Sequence, residues 1–271
     1  MPASRSERLY DKEFAPVTTP TIEQIYKHSS IRAYKSDPVS KAMIEEIVAA
    51  GQRASTSSNL QMFSVVVVTE EHKRHQLATY CGNQDHIRQA PVFMAWCADL
   101  NRLSRVCELR GHTHAYEYLE NFLVSFVDVA ILMQTAALAA EWMGLGMCYI
   151  GAIRNQPQDV IDLLELPRLV IPISGMTLGW PAAEPVIRPR LGTEAILHWE
   201  RYDNSREEPL LRDYDKAMAD TGIYDGRQVA VPGAPDRMEA YGWLEHSARR
   251  VSQQSRKGLR AVYEKKDFLL K

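Results

Sequence analysis

The chain has 271 residues, 45% of them hydrophobic, and sets 32 Lys and Arg against 34 Asp and Glu for a formal charge of -2. That apolar content suffices for one large domain or two smaller ones around a continuous core. The near-neutral balance removes the long-range attraction that a nucleic-acid or membrane-surface binder draws from a basic excess, so small ligands are the expected partners. Cys81, Cys97, Cys107 and Cys148 lie far apart with no Cys-x-x-Cys pair, too sparse for a disulfide framework or a zinc site, and are read as reduced. Residues 1–20 mix charges and prolines without an apolar run, so they read as an arm with no signal peptide or anchor, and the cytoplasm is the default compartment.

In chain order, a short helix is expected over Thr21 to Lys27, followed by a helix after Ser40, a plausible N-cap, in which Met43, Ile44, Ile47 and Val48 recur at helical spacing. A hydroxyl-rich run at 55–59 leads into Phe63 to Val68, whose β-branched continuity predicts a central strand covered on both faces. A helix over Glu70 to Tyr80, a strand over Pro91 to Cys97 and a short helix follow. Next comes a long helix, about Tyr116 to Met143, stopped at Gly144-Leu145-Gly146. That helix is apolar nearly all round and approaches membrane-spanning length, but it carries Asp128 and Gln134. It reads as a buried helix, surrounded by its own domain or by a copy of itself across a dimer axis. A strand at Cys148 to Ile153, a helix around Asp159 to Leu166 and a last strand at Leu169 to Trp180 complete the alternation. Beyond Glu184 the chain turns charged and irregular, with helices expected at about Glu208 to Ala219 and Asp236 to Ser255, joined by the Gly/Pro-containing segment Val229 to Pro235.

No Gly-x-Ser-x-Gly, His-Glu-x-x-His, Walker A or Gly-x-Gly-x-x-Gly stands in the chain, so common hydrolase, metalloprotease and dinucleotide-fold chemistry lacks its anchors. His112-Thr113-His114 has no further ligand at a metal-binding spacing and reads as a solvated turn. His28-Ser29-Ser30-Ile31-Arg32 and the distant Arg188-Pro189-Arg190 are different in kind. A phosphate monoester carries close to two negative charges and needs cations and hydroxyl or backbone donors from more than one segment, which these two supply. Taken singly, each is equally a surface Arg/Ser cluster.

Five segments occur together: TIEQIYKHSSIRAY at 21–34, ASTSSNLQ at 54–61, GNQDH at 82–86, GLGMCYIGAIRN at 144–155, and ISGMTLGWPA followed by RPRL across 173–191. In this order and spacing they resemble the FMN-dependent nitroreductase superfamily, and within it the NADPH-preferring branch of oxygen-insensitive nitroreductases and flavin reductases. The resemblance implies an α+β fold with a four- or five-stranded mixed sheet flanked by helices. It also implies an intertwined homodimer, an FMN-binding core at 21–202 and a carboxy-terminal helical extension at 203–271. His28, Ser30, Arg32, Arg188 and Arg190 match the family's phosphate and ribityl contacts. Thr56 and Ser58 match the hydroxyl turn beside the flavin, with Ser58 a possible proton source. Gln84 matches an amide at the ring's polar edge, and Tyr149, Ile150 and Gly151 match the strand end against the ring. Arg227 resembles an arginine gripping the 2′-phosphate of NADPH, and Arg256 one on the substrate side of the flavin.

The expected reaction is ping-pong transfer of two electrons from NADPH through FMN to a small-molecule acceptor such as a nitroaromatic, quinone, free flavin or chromate. Reductive dehalogenation on the same scaffold, or a non-catalytic flavin sensor, are the alternatives. Neither nucleic acid nor membrane is an expected partner. Ser29, Asn59, Ala152 and Gly192 depart from the family's usual residues, and Val229 to Pro235 looks like an insertion.

Overall fold

The computed structural model describes residues 18–184 and 186–268, so most of the arm expected at 1–20 lies outside the described residues. The chain divides into two compact units. One is formed by 22–184 with 256–268, the other by 186–255 with 18–21, as far as each is described.

The larger unit begins within α1 (Pro20–Tyr26) and continues with α2 (Lys41–Gly51). Ser40 caps α2 by accepting the Met43 backbone N–H at 3.2 Å, as the capping pattern predicted. There follow β1 (Phe63–Val68), α3 (Glu71–Tyr80), α4 (Asp85–Gln89), β2 (Val92–Asp99), α5 (Asn101–Arg110), α6 (Leu119–Trp142), β3 (Gly146–Ile150), α7 (Pro157–Leu163) and β4 (Val170–Gly179). The four strands pair in the order β1-β2-β4-β3, every ladder antiparallel. The parallel element is an isolated bridge from Ser30 to Met147 at the outer side of β3. Helices and antiparallel sheet together give the expected α+β class.

Alternation along β2 separates two apolar layers. Met94, Trp96 and Ala98 join Ile44 and Ile47 of α2 and Val129, Leu132 and Ala136 of α6 on one face. Phe93, Ala95 and Cys97 join Leu77 of α3 and Val160 of α7 on the other. Burying β2 and β4 along their whole lengths is what their unbroken apolar runs encode.

β1 corrects an expectation: among the described residues it is an edge strand, with Val67 38% exposed. Its valine run reflects contact with both layers, through Val65 on one face and Val66 on the other. Cover on two faces does not require a neighbour on both edges. β3 begins at Gly146 and ends at Ile150, three residues before the expected end, because the chain turns into a 3₁₀ segment at Gly151–Arg154. α6 buries Ser125, Asp128, Val129, Leu132, Ala136, Ala137 and Ala140 on one face, while Leu119, Leu123, Val127 and Ile131 stay exposed. By length and composition alone it could cross a membrane.

The smaller unit holds α8 (Glu207–Ala219), β5 (Gln228–Val231), β6 (Ala234–Ala240) and α9 (Trp243–Ser252). The segment expected as a linker is an antiparallel hairpin, and residues 236–240, expected as the start of a helix, form its second strand. Gly233, at φ +78°, supplies the turn. The strand Val170–Gly179 is therefore not the last one in the chain. Asp215 of α8 caps α9 by accepting the Leu244 backbone N–H at 2.9 Å. The tail then returns to the larger unit as α10 (Leu259–Lys265), which places Tyr263 and Phe268 in the core layer with α6.

Candidate active site

The segment after α1 is fixed against the start of β3. Ile31 N–H donates to the Met147 carbonyl at 2.9 Å beside the Ser30 bridge, and Gly146 permits this approach because a Cβ there would lie 2.6 Å from Ile31 Cγ1. Tyr34 donates its hydroxyl to the Ile31 carbonyl at 2.7 Å and stands 2.8 Å from the Thr177 hydroxyl; burial pushes its phenol well up. Three predicted residues sit on this brace. His28 Nδ1 lies 2.5 Å from Glu141 Oε1 in the last turn of α6. The Ser30 hydroxyl bonds the Cys148 thiol, whose pKa is raised by burial and pulled back partly by Arg32 and Ser30. Arg32 is exposed, and its charge also reaches His86 in α4, whose pKa is lowered by burial first and by Arg32 second.

Tyr149, Ile150 and Gly151 adjoin this brace along β3. Tyr149 is half-buried and directs its hydroxyl to Gln134 Oε1 at 2.9 Å, and burial together with the Glu141 charge holds the phenol protonated. Ile150 pairs with Gly175 of β4. Gly151 is different from its neighbouring glycines: a Cβ built there meets Arg154 Nη2 at 3.5 Å and nothing nearer, so packing within this chain does not demand a glycine.

Gln84 stands half-buried at the start of α4, its Nε2 donating to the Cys81 carbonyl at 2.6 Å across a turn in which Gly82 and Asn83 are left-handed. Arg256 reaches the same corner from the returning tail, donating from Nε to Asn155 Oδ1 at 3.1 Å. A Cβ on Gly82 would stand 3.3 Å from Asn155 Nδ2. His28, Ser30, Arg32, Gln84, Tyr149, Ile150, Gly151 and Arg256 thus gather around β3 and its exit.

Thr56 and Ser58 do not join them. Ser57 N–H donates to Asp128 Oδ1 at 3.0 Å, which pins the hydroxyl turn to α6 thirteen residues before Glu141, about 20 Å along a helix axis. The turn is strained, with Ser58, Asn59 and Gln61 all at positive φ. Arg188, Arg190 and Arg227 belong to the smaller unit. Arg190 donates to its own segment's Arg188 and Pro189 carbonyls, Arg188 acts on Tyr224, and Arg227 is exposed at the foot of the hairpin, where its carbonyl accepts the Tyr241 N–H. A cleft of about 600 Å³ between α2, β1 and α5 is lined by none of the predicted residues.

Sequence reasoning treated Asp128 only as a mark against a membrane span and passed over Glu141. Both are buried carboxylates, and Asp128 Oδ2 and Glu141 Oε2 have no hydrogen-bond partner among the described residues. An acidic residue on the inner face of an apolar helix is the signal that could have found them.

This architecture, an antiparallel four-stranded sheet between helices with a cationic hydroxyl segment locked to one edge strand, defines the class of protein. Nitroreductase family models match residues 25–84 and 75–180, and the family's C-terminal domain model matches 188–271. The chain belongs to the nitroreductase family. It is 34% identical over 246 residues to the Cr(VI) reductase of Pseudomonas sp. (strain G-1), covering 91% of this chain and 98% of that protein. It is 37% identical over 238 residues to the oxygen-insensitive NADPH nitroreductase of Salmonella typhimurium, covering 88% and 93%. Among solved structures, B. megaterium NfrA2 superposes with a TM-score of 0.85 at 34% identity, over 94% of this chain and all of that one. The NADPH:FMN oxidoreductase from Vibrio harveyi complexed with NAD+ superposes at 0.80 and 31%, over 93% and 99%.

Proposed function

We propose that this chain is an FMN-dependent oxidoreductase that passes two electrons from NADPH to nitroaromatic, quinone, flavin or oxyanion acceptors. The observation that carries this reading is the pairing of a cationic hydroxyl segment at 28–32 with an open glycine at the β3 exit. Ser30 and Arg32 have the donor chemistry a phosphate monoester needs, and the absence of a Cβ at Gly151 leaves backbone accessible to a flat ring. The residues present therefore fit FMN.

His28, Ser30, Arg32, Arg188 and Arg190 would hold the phosphate and ribityl end, while Gln84, Tyr149, Ile150 and Gly151 would border the ring. When bound, FMN supplies the two-electron chemistry, accepting hydride from the reduced nicotinamide and returning the electrons to an acceptor. The chain's own part is placement: the brace to β3 fixes the phosphate donors, and the Gly151 backbone and Gln84 amide orient the ring's polar edge. Arg227 would bind the nucleotide's 2′-phosphate with bidentate geometry, and Arg256, held by Asn155, would border the acceptor. Ser58 would deliver a proton. We read 21–202 as the FMN-binding core and 203–271 as an extension carrying both arginines, in a cytoplasmic enzyme with access to NADPH.

A homodimer belongs to this reading. Leu119, Leu123, Val127 and Ile131 form an exposed apolar stripe at four-residue spacing along α6, an expensive surface unless a second copy covers it. The distance along α6 between the 56–58 turn and the 28–32 brace also favours a site completed by residues from two chains.

The test is a visible spectrum of the purified protein before and after anaerobic addition of NADPH and, separately, NADH. A flavin band bleached faster by NADPH is the expected result. A band that neither nucleotide bleaches would point to a sensor, and no band after reconstitution with FMN would remove the reading.

A further inference from the structure

Glu141 is the residue on which two predicted flavin segments converge, through His28 and Tyr149, and the proposed electron transfer assigns it no part. Its side chain is 8% exposed, one oxygen meets His28 Nδ1 at 2.5 Å, and the other is buried without a partner among the described residues. A half-satisfied buried carboxylate is costly and weakly stabilising at best, so holding the fold does not account for it. The His28 side chain is 24% exposed, more than the carboxylate it meets.

A carboxylate only accepts, so the nitrogen at 2.5 Å must carry the hydrogen: Nδ1–H donates to Oε1, and Nε2 becomes the outward atom. The same backbone is tied independently to β3 through Ile31 and Met147. The main-chain tie sets where His28 stands, and Glu141 sets how its ring is turned and which nitrogen faces out. Of the other titratable groups nearby, Tyr149 on β3 feels the Glu141 charge and directs its hydroxyl to Gln134, and Arg32 acts on Cys148, Tyr34 and His86.

We propose that Glu141 is a positioning residue of the flavin site, holding His28 with Nδ1 protonated and buried and Nε2 directed at the ribityl-phosphate end of FMN. The proposal rests on the FMN reading. Glu141 would act through His28 without touching the flavin, as carboxylates do that orient metal-bound or catalytic imidazoles.

The experiment combines FMN titration of the apoprotein, followed by flavin fluorescence, with ¹⁵N spectra of the histidine rings. Glu141→Gln and His28→Ala should each weaken FMN binding by about tenfold, and the double variant by no more than either alone, because one interaction is removed twice. In the wild-type apoprotein the His28 ring should show a protonated Nδ1, and in E141Q that signature should weaken or shift to Nε2. Wild-type FMN affinity in E141Q with unchanged ring resonances would overturn the proposal and leave the flavin reading intact. A wild-type chain that takes up no FMN would overturn the flavin reading, and the proposal with it. Should E141Q fail to fold, the wild-type ring spectrum decides alone, since an Nε2–H tautomer with bare Nδ1 contradicts the assigned hydrogen bond.

Discussion

Among single residues, the glycines of the larger unit separate packing from function. Gly175 has no room for a side chain, since its Cβ would stand 2.4 Å from Phe93 Cζ, whereas Gly151 has room to spare. Gly175→Ala should therefore cost about 1–3 kcal/mol by overpacking, seen as a lower urea midpoint. Gly151→Ala should leave that midpoint within about 0.5 kcal/mol of wild type yet weaken FMN binding severalfold, because the added methyl occupies space a ring would need. Equal losses of stability in the two variants would contradict this division. The sequence showed a glycine in a family-like context at 151. Only the open space around it in the fold shows that packing does not ask for a glycine there.

At the scale of elements, α6 acts as the frame along which the candidate site is laid out. Asp128, ten residues into the helix, holds the 56–58 turn, Gln134 meets Tyr149 further along, and Glu141 holds His28 in the last turn. Its apolar periodicity was legible, and so was its stop, because Gly144 takes the left-handed conformation at φ +83°. Its exposed stripe was not, since an all-round apolar helix gives no sign of which face its own domain will cover. Val127, 53% exposed on that stripe, offers the test. If this stripe is the seam of the proposed homodimer, Val127→Glu should yield monomer in sedimentation velocity where wild type is dimeric, and lower FMN retention in parallel, by placing a charge on the apolar stripe. A dimer that survives V127E would place the interface elsewhere. The β5–β6 hairpin escaped sequence reasoning for a different reason: Pro232-Gly233 was read as a break between helices, whereas Gly233 closes a hairpin whose second strand is exposed nearly throughout and has little apolar alternation to announce it.

For the whole molecule, the buried acids of the core predict how stability varies with pH. Burial raises the Cys81 thiol from its ordinary 9 to about 12 and the Tyr263 phenol from 10 to about 12, and pushes Cys97 and Tyr34 up as well. Each folded value exceeds the unfolded one, so the neutral forms stabilise the fold fully below about pH 9, and that contribution falls away between about pH 9 and 12 as the unfolded chain ionises first. Urea midpoints should be flat with respect to these groups up to pH 8.5 and decline steadily above pH 9. A midpoint that holds to pH 11 would show these groups to be more accessible than the structure places them. Cys107, the one partly exposed thiol, should meanwhile react first with a thiol reagent at neutral pH.

The sequence by itself determined most element positions, because helical spacing, β-branched runs and caps such as Ser40 are local properties that the chain expresses wherever it folds. Through five short segments it also determined the family and the residues worth locating. The tertiary structure decided what local chemistry cannot specify. It made β1 an edge strand although both its faces have contacts, brought Arg256 beside Asn155 and Gly82 by returning the tail to the core, and set the 56–58 turn apart from the 28–32 brace. It also made two acids of α6, Asp128 and Glu141, the fixed points of the two segments. These depend on which surfaces meet across dozens or hundreds of intervening residues, and such pairings are settled by the burial of whole faces, not by any residue's near neighbours.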